Sequence, residues 1–549
     1  MLKTYLPKED FSGQEDFEQH YRIHVPESFN FAYDVADKMA EIAPEQAAIL
    51  WLNPEGLKKV YTFSDLKIMS DKAANLFSGL GIRKGDRVML ILKRHIQFWF
   101  AMLGLHKIGA VTIPATHLLT EKDIMYRIDA AGIKTIVCTG DGDIARHVAD
   151  AAKGCPVLEH CLITGEATPQ GFINFDSMLE ATSPDWTPLP RWENSHPFLL
   201  YFTSGTTGHP KMVCHDMTYP LGHITTARYW QNCTDGGLHW TISDTGWGKA
   251  VWGKFFGQMI CGSTILVYDF DKFVPSDILR IMTETGVTSF CAPPTMYRFM
   301  LPEDLKSYDF SRLQYCSVAG EPLNPEVFAQ WSAATGCEPR EGFGQTETVC
   351  VLMNHCYIRP RAGSMGRPNP VWKVDIIDSE GTHCEVGQVG EIVVRTDDGA
   401  PAGLFLGYYN DPERTKTIWD NDVFHTGDTA WMDEDGFFWY VGRTDDIIKS
   451  SGYRIGPFEV ESALMEHPAV LETAVTGAPD PVRGQVVKAN IILRKGWDPS
   501  PALVKELQDH VKRTTAPYKY PRIIEFVESL PKTISGKIRR KELRGEQDD

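Results

Sequence analysis

Short apolar runs alternate with amphipathic stretches through the first part of the chain. Residues 66–80 carry apolar side chains at helical spacing, 87–92 read as a buried strand, and 98–107 are helical again. Residues 110–114 and 134–138 are further strands, and the pattern recurs around 263–268, 289–292 and 313–318. Strands covered on both faces lose strict apolar–polar alternation and become continuous apolar runs. Strands of that kind separated by helical segments predict stacked βα units on a largely parallel sheet. After about Lys373 the texture changes. Residues 374–378 and 390–395, with the Glu380-Gly381 turn between them, read as antiparallel hairpin strands. A smaller unit begins near Asp445: helix 457–467, strands 470–477 and 487–493, helix 501–512 and strand 522–527. The expected architecture is α/β. A large N-terminal domain, residues 1–444, combines stacked βα-type subdomains with a β-rich subdomain. A small α+β C-terminal domain, residues 445–549, has an ordinary small-domain size of about 100 residues.

Charge and cysteine usage narrow the functional classes. The formal charge is −17, which argues against a nucleic-acid backbone as partner. It leaves room for a locally positive pocket that takes a phosphorylated small molecule. The 12 cysteines show no C-x-x-C pair and no Cys/His grouping at zinc spacing, so they read as small buried hydrophobes in a reducing compartment. The longest apolar runs are far shorter than a membrane span. The opening Met1-Leu2-Lys3-Thr4-Tyr5 leads into acidic sequence without signal or transit character, so a cytoplasmic location is expected.

The densest chemistry lies in Thr203-Ser204-Gly205-Thr206-Thr207-Gly208-His209-Pro210-Lys211, directly after the apolar run 197–202. Hydroxyls, glycines and a lysine in one short loop suit a polyphosphate: backbone N–H groups approach closely, hydroxyls donate, and the lysine adds charge. The alternating segment 212–215 follows, so the loop joins two strands. It is not a Walker loop, because G-x-x-x-x-G-K-[ST] is absent. An ordinary Ser/Thr/Gly surface turn is the bland alternative for the loop taken alone. Four more blocks follow: Glu341-Gly342-Phe343-Gly344-Gln345-Thr346-Glu347, His425-Thr426-Gly427-Asp428, residues 442–454, and residues 531–537.

In content and order these blocks resemble the adenylate-forming (AMP-binding) superfamily, which includes acyl-CoA synthetases, peptide-synthetase adenylation domains and luciferases. Residues 26–32 resemble the opening of the medium-chain acyl-CoA synthetase branch, so the resemblance covers nearly the whole chain. It implies an acid–thiol ligase that converts acid, ATP and CoA into acyl-CoA, AMP and pyrophosphate through an acyl adenylate. The implied ligands are ATP, Mg2+, coenzyme A and a small carboxylic acid, with neither nucleic acid nor a membrane span. By family position, residues 203–208 and Lys211 hold phosphates, Gly320-Glu321-Pro322 edge the adenine, and Phe343 stacks on it. Gly344 and Thr346 belong to the same nucleotide site, Thr346 at the α-phosphate. Glu347 binds magnesium, and Asp428 with Arg443 takes the ribose. Lys537 in Ser535-Gly536-Lys537 is the adenylation lysine, placed where two anions must meet. Asp445 is the hinge of a mobile lid, and Gly452 lines the path of the pantetheine thiol.

Trp247, Gly248, Lys249, Ala319 and Gly344 are expected around the acyl group. In the acetyl-CoA branch the position of Gly344 carries tryptophan, so glycine here implies an acid larger than acetate: short- or medium-chain, branched or aryl. Lys249 reads as a stem along the pocket wall with its ammonium at the wet rim, or as a contact to the substrate. Other functions on this scaffold are a stand-alone adenylating enzyme serving a carrier protein, luciferase-type oxidation, and a non-catalytic nucleotide sensor.

Overall fold

The structure is a computed structural model that describes residues 1–203, 209–451, 453–533 and 537–545. Among those residues the strands form three sheets. In the eight-stranded sheet, Arg87–Ile91 is sandwiched in parallel between Val111–Pro114 and Ile133–Thr139. All three are almost wholly buried, which is why they read as apolar runs. Helices cover them. Phe63–Gly79 begins with a reciprocal cap between Thr62 and Asp65, and Gln97–Ile108 ends on Gly109 in the left-handed region at φ 71°.

The fourteen-stranded sheet has two halves of different character. Ser289–Ala292, Tyr315–Val318 and Pro339–Gly344 run parallel. Pro339–Gly344 then pairs antiparallel with Cys350–Met353, and antiparallel pairing continues out to Gly390–Arg395 and Lys373–Ile377. Thus the Glu341–Glu347 block lies where the sheet changes sense. The expected hairpin region is this antiparallel half.

The five-stranded sheet holds Ile448–Ser450, Tyr453–Ile455, Val470–Asp480, Gly484–Leu493 and Ile523–Phe526. Helices Pro457–Met465 and Pro501–Thr514 close its own core around Val460, Leu464, Leu507 and Val511. This is the α+β unit expected after Asp445. The elements agree with the sequence reading to within a few residues. Two π-helical segments, Ala32–Asp37 and Thr225–Trp230, carry no signal in the apolar pattern.

Polar ties join the layers. Lys107, fully buried, holds Asp37 at 2.7 Å and Asp71 at 2.6 Å beneath the helix pair. Lys93 pairs with Asp141, while His95 reaches Asp269 at 2.7 Å beyond strand Thr264–Tyr268. Removing one partner of a buried ion pair leaves a charge stripped of water, a cost of about 3–5 kcal/mol. Lys107→Ala is therefore expected to lose stability toward the lower end of that range, because Asp37 is left without its cation while Asp71 keeps Lys67 at 2.6 Å. The first thermal or urea transition should move clearly downward, and an unchanged midpoint would show that water replaces the ammonium.

Candidate functional site

The loop 203–211 connects strands Pro197–Thr203 and Lys211–Asp216, which pair antiparallel with Thr203 opposite Lys211. Thr203 and Lys211 thus stand side by side at the mouth of a hairpin. Ser204, Gly205, Thr206, Thr207 and Gly208 lie outside the described residues, as does Gly452. Thr203 and Lys211 open into a cleft of about 1440 Å³. Gly320, Glu321, Pro322, Phe343, Gly344 and Thr346 line that cleft, as do Glu347, Asp428, Arg443, Asp445 and Lys537. Every described residue expected at the nucleotide, the metal, the hinge or the adenylation step therefore faces one space. Its walls come from all three sheets, so residues hundreds of positions apart converge there.

Side-chain bonds organise these groups. Asp428 lies across from Arg443 in the ladder between Val423–Met432 and Phe438–Arg443. Its carboxylate accepts from Tyr440 Oη at 3.1 Å and from Gln345 Nε2 at 2.5 Å. Burial pushes the Asp428 pKa up, while Arg443 and, more distantly, Lys537 pull it down. The Lys537 charge is therefore felt at Asp428. Glu391 holds the next turn by accepting from Gly427 N at 2.9 Å and contacting His425 Nδ1 at 3.0 Å. Arg443 Nε donates to Asp445 at 3.2 Å.

A second chain runs through Tyr408. Lys211 Nζ donates to Tyr408 Oη at 3.3 Å, and Tyr408 Oη donates to Glu347 Oε1 at 2.9 Å. Burial lowers the Lys211 pKa, with Glu347 opposing. Tyr408 sits in the short strand Gly407–Tyr408 beside Lys211–Asp216. Nothing in its neighbourhood marks it as a site residue. Gln345 lies inside a motif block that assigns it no role, and Glu391 and Tyr440 likewise emerge only from the fold.

The site chemistry fits a magnesium nucleotide. Glu347 brings one carboxylate into the cleft, and no group of three or more His, Cys, Asp or Glu side chains among the described residues could hold a metal unaided. A hard cation sharing one carboxylate with phosphate oxygens and water needs no more than that.

Two expectations for the acyl pocket change. A Cβ built on Gly344 would lie 2.2 Å from the Val349 carbonyl oxygen, so this glycine serves a close backbone approach and does not leave acyl-sized space. Lys249 does not extend to a wet rim: its Nζ donates to the Ala319 carbonyl at 2.5 Å, and burial lowers its pKa. Trp247 and Gly344 line the cleft, whereas Gly248, Lys249 and Ala319 are not among its lining residues and lie close to Trp252.

The chain belongs to the AMP-binding enzyme family, which matches residues 37–409, and the AMP-binding enzyme C-terminal domain matches residues 459–537. It is 41% identical over 551 residues to acyl-coenzyme A synthetase ACSM3, mitochondrial, of Rattus norvegicus, covering 99% of this chain and 94% of the relative. With acyl-coenzyme A synthetase ACSM5, mitochondrial, of Mus musculus it shares 43% identity over 536 residues, covering 96% and 92%. The solved structure of anthranilate CoA ligase AuaEII in complex with anthranoyl-AMP matches with a TM-score of 0.86 at 28% identity, covering 95% of this chain and 98% of that one. The family resemblance and the expected fold class both hold. No described helix is long and apolar enough to cross a membrane.

Glu341 allows a test of the cleft's electrostatics. It is 4% exposed, accepts from Leu323 N at 3.2 Å, and burial raises its pKa from 4.5 to about 8. The folded state then holds a proton that the unfolded chain releases, so stability falls as pH rises from about 4.5 to about 8. Glu341→Gln should remove that slope. In urea titrations without nucleotide, the variant should gain on the parent by up to a few kcal/mol at pH 8, and the gain should shrink toward pH 5. Parallel pH curves would mean that water reaches the carboxyl.

Proposed function

We propose that this cleft activates a carboxylic acid with ATP and passes the acyl group to coenzyme A. The activity is that of an ATP-dependent acid:CoA ligase working through an acyl adenylate. The observation that carries it is the position of Lys537: a lysine of the C-terminal unit lines the same cleft as Thr346, Glu347 and Asp428. ATP phosphates lie along residues 203–208 and Lys211. Adenine is held between Phe343 and the segment Gly320-Glu321-Pro322, and the ribose hydroxyls meet Asp428 and Arg443. Glu347, oriented by Tyr408, would hold the magnesium that travels with ATP, and the ion would supply positive charge against the phosphates.

In the first step a carboxylate oxygen of the substrate attacks the α-phosphorus beside Thr346. An O–P bond forms and pyrophosphate leaves with the bridging oxygen. Lys537 offsets the charge of two anions forced together, an effect felt most in the transition state. In the second step the CoA thiol attacks the acyl carbonyl, losing its proton to solvent. The C–S bond forms as AMP departs. The domain boundary falls at Asp445, about which the C-terminal lid turns between steps, and Gly452 lines the thiol's path.

The acid is larger than acetate; the aromatic surroundings of Gly248 support this, and Gly344 no longer does. The names of the relatives agree with acyl-CoA synthesis, and that of the solved neighbour with a ring-bearing acid. For location we propose the cytoplasm, in line with the reducing compartment to which the 12 free cysteines point. The relatives are named mitochondrial, and recovery of the protein in a mitochondrial fraction would replace that reading.

Lys537→Ala should lower acid-dependent pyrophosphate exchange at least a hundredfold, roughly 2.7 kcal/mol in the barrier. Conversion of supplied acyl-AMP to acyl-CoA should survive. If both half-reactions fall equally, the lysine serves folding or lid closure and not adenylation.

A further inference from the structure

Helix Glu121–Ala131 leans on the loop 203–211. Tyr126 stacks on His209, with ring centroids 4.5 Å apart and planes 10° from parallel, and its hydroxyl donates to the Pro210 carbonyl at 3.2 Å. One residue on, the Arg127 guanidinium lies over the Phe202 ring, 5.0 Å from its centroid. Phe202 directly precedes Thr203, so the guanidinium stands at the root of the loop. Asn410 fastens the far end of the helix by donating to the Ala130 carbonyl at 3.3 Å. Arg127, Phe202, Thr203, His209 and Lys211 all line the cleft. Arg127 belongs to none of the motif blocks.

Arginine is almost never buried without an anion beside it. Arg127 is 9% exposed, yet its charge is poorly matched. Its ion-pair partner is Asp123, one turn earlier on the same helix and 3.9 Å from Nη1. That carboxylate is already engaged, for Oδ2 accepts from Thr120 N at 3.0 Å and from Thr120 Oγ1 at 2.7 Å to cap the helix. Nη1 donates to the Asp123 backbone carbonyl at 2.9 Å, and no other hydrogen bond or ion pair engages the guanidinium among the described residues. Burial lowers the Arg127 pKa, opposed chiefly by Asp123, but a guanidinium stays protonated. A full positive charge, with most of its donor fork uncommitted, therefore lines the cleft beside the loop. Packing on Phe202 does not need that charge, since an aliphatic side chain would cover the ring as well.

Resting on the reading that residues 203–208 and Lys211 hold the phosphates of ATP, we propose that Arg127 binds the β- and γ-phosphates and stabilises pyrophosphate as it leaves. A guanidinium meets two phosphate oxygens at once in a fixed fork, whereas an ammonium meets them as a point charge. When the bond from the α-phosphorus to the bridging oxygen breaks, its electron pair stays on that oxygen and the leaving group gains a negative charge. Arg127 offsets that charge, and no proton has to move. Lys537 answers the incoming carboxylate, so the two cations divide the reaction between its entering and departing sides. The ring stack on His209 and the capped helix fix Arg127 before ATP arrives, as electrostatic stabilisation requires. AMP and the acyl adenylate carry no β- or γ-phosphate and so make no use of it.

The test compares the parent enzyme with Arg127→Gln and Arg127→Lys. Calorimetry with magnesium present measures binding of ATP, AMP and inorganic pyrophosphate, and the two half-reactions are followed separately. Arg127→Gln should weaken ATP and pyrophosphate at least about tenfold and leave AMP within about twofold. Acid-dependent pyrophosphate exchange should fall by more than the loss in ATP affinity, while conversion of supplied acyl-AMP to acyl-CoA persists. Arg127→Lys keeps the charge without the fork and should fall between, and it carries the same comparison should Arg127→Gln fold poorly. If ATP and AMP weaken in parallel, or both half-reactions fall together, Arg127 only supports the loop and the proposal is overturned. Unchanged binding of ATP and pyrophosphate in both variants overturns it as well, while the ligase reading stands. If the parent itself shows no acid-dependent pyrophosphate exchange, the ligase reading fails, and this proposal with it.

Discussion

Gln345 holds the cleft together. Its amide donates to the Thr426 carbonyl at 2.7 Å and to Asp428 at 2.5 Å, so one side chain joins the turn at the sheet's change of sense to a ladder 81 and 83 residues away. That bridge adds a direct side-chain tie between the loop carrying Thr346 and Glu347 and the carboxylate facing Arg443, alongside the sheet that already joins them. The bridge is possible because Pro339–Gly344 ends in the larger sheet just where parallel pairing gives way to antiparallel. Such a junction leaves a crevice at the strand ends, the place where open α/β sheets gather ligands.

The cleft also shows how an acidic protein makes a site for a polyanion. Lysine and arginine side chains enter from both sides, among them Lys211, Arg443, Lys537 and Arg540. Acidic partners hold several of them: Glu347 through Tyr408, Asp445 on Arg443, and Glu461 on Arg540. Each cation is thereby oriented before a ligand arrives, and net charge says little about local field. Orientation fixed in advance is what electrostatic stabilisation of a transition state requires, since nothing then has to reorganise during reaction.

Much of this was legible in the residues, for a physical reason. Strands such as 87–91 and 133–139 are buried on both faces and therefore apolar throughout, and the motif blocks carry their chemistry in contiguous residues. What stayed hidden depends on direction or on distant pairing. Tyr408 gains its role only because a two-residue strand docks beside Lys211. Gly344 was read as vacant space because a sequence does not say where a Cβ would point; here it points at a carbonyl. Lysine favours water, so the sequence points Lys249 to a wet rim or to the substrate, whereas its ammonium donates to the Ala319 carbonyl.

The carboxy-terminal tail that bears Lys537 is fastened to its own unit. Arg540 forks onto both oxygens of Glu461 at 2.8 and 2.9 Å, and Arg544 reaches Asp446 at 2.7 Å, one residue beyond Asp445. The two carboxylates and the two guanidiniums are largely shielded from solvent, so salt screens them weakly. The ammonium at 537 is therefore carried as on a lever arm: its place in space is decided by the angle of the whole unit, and scarcely by wandering of the tail. Under the turning about Asp445 proposed above, a small change of angle at that residue would become a large displacement of the ammonium.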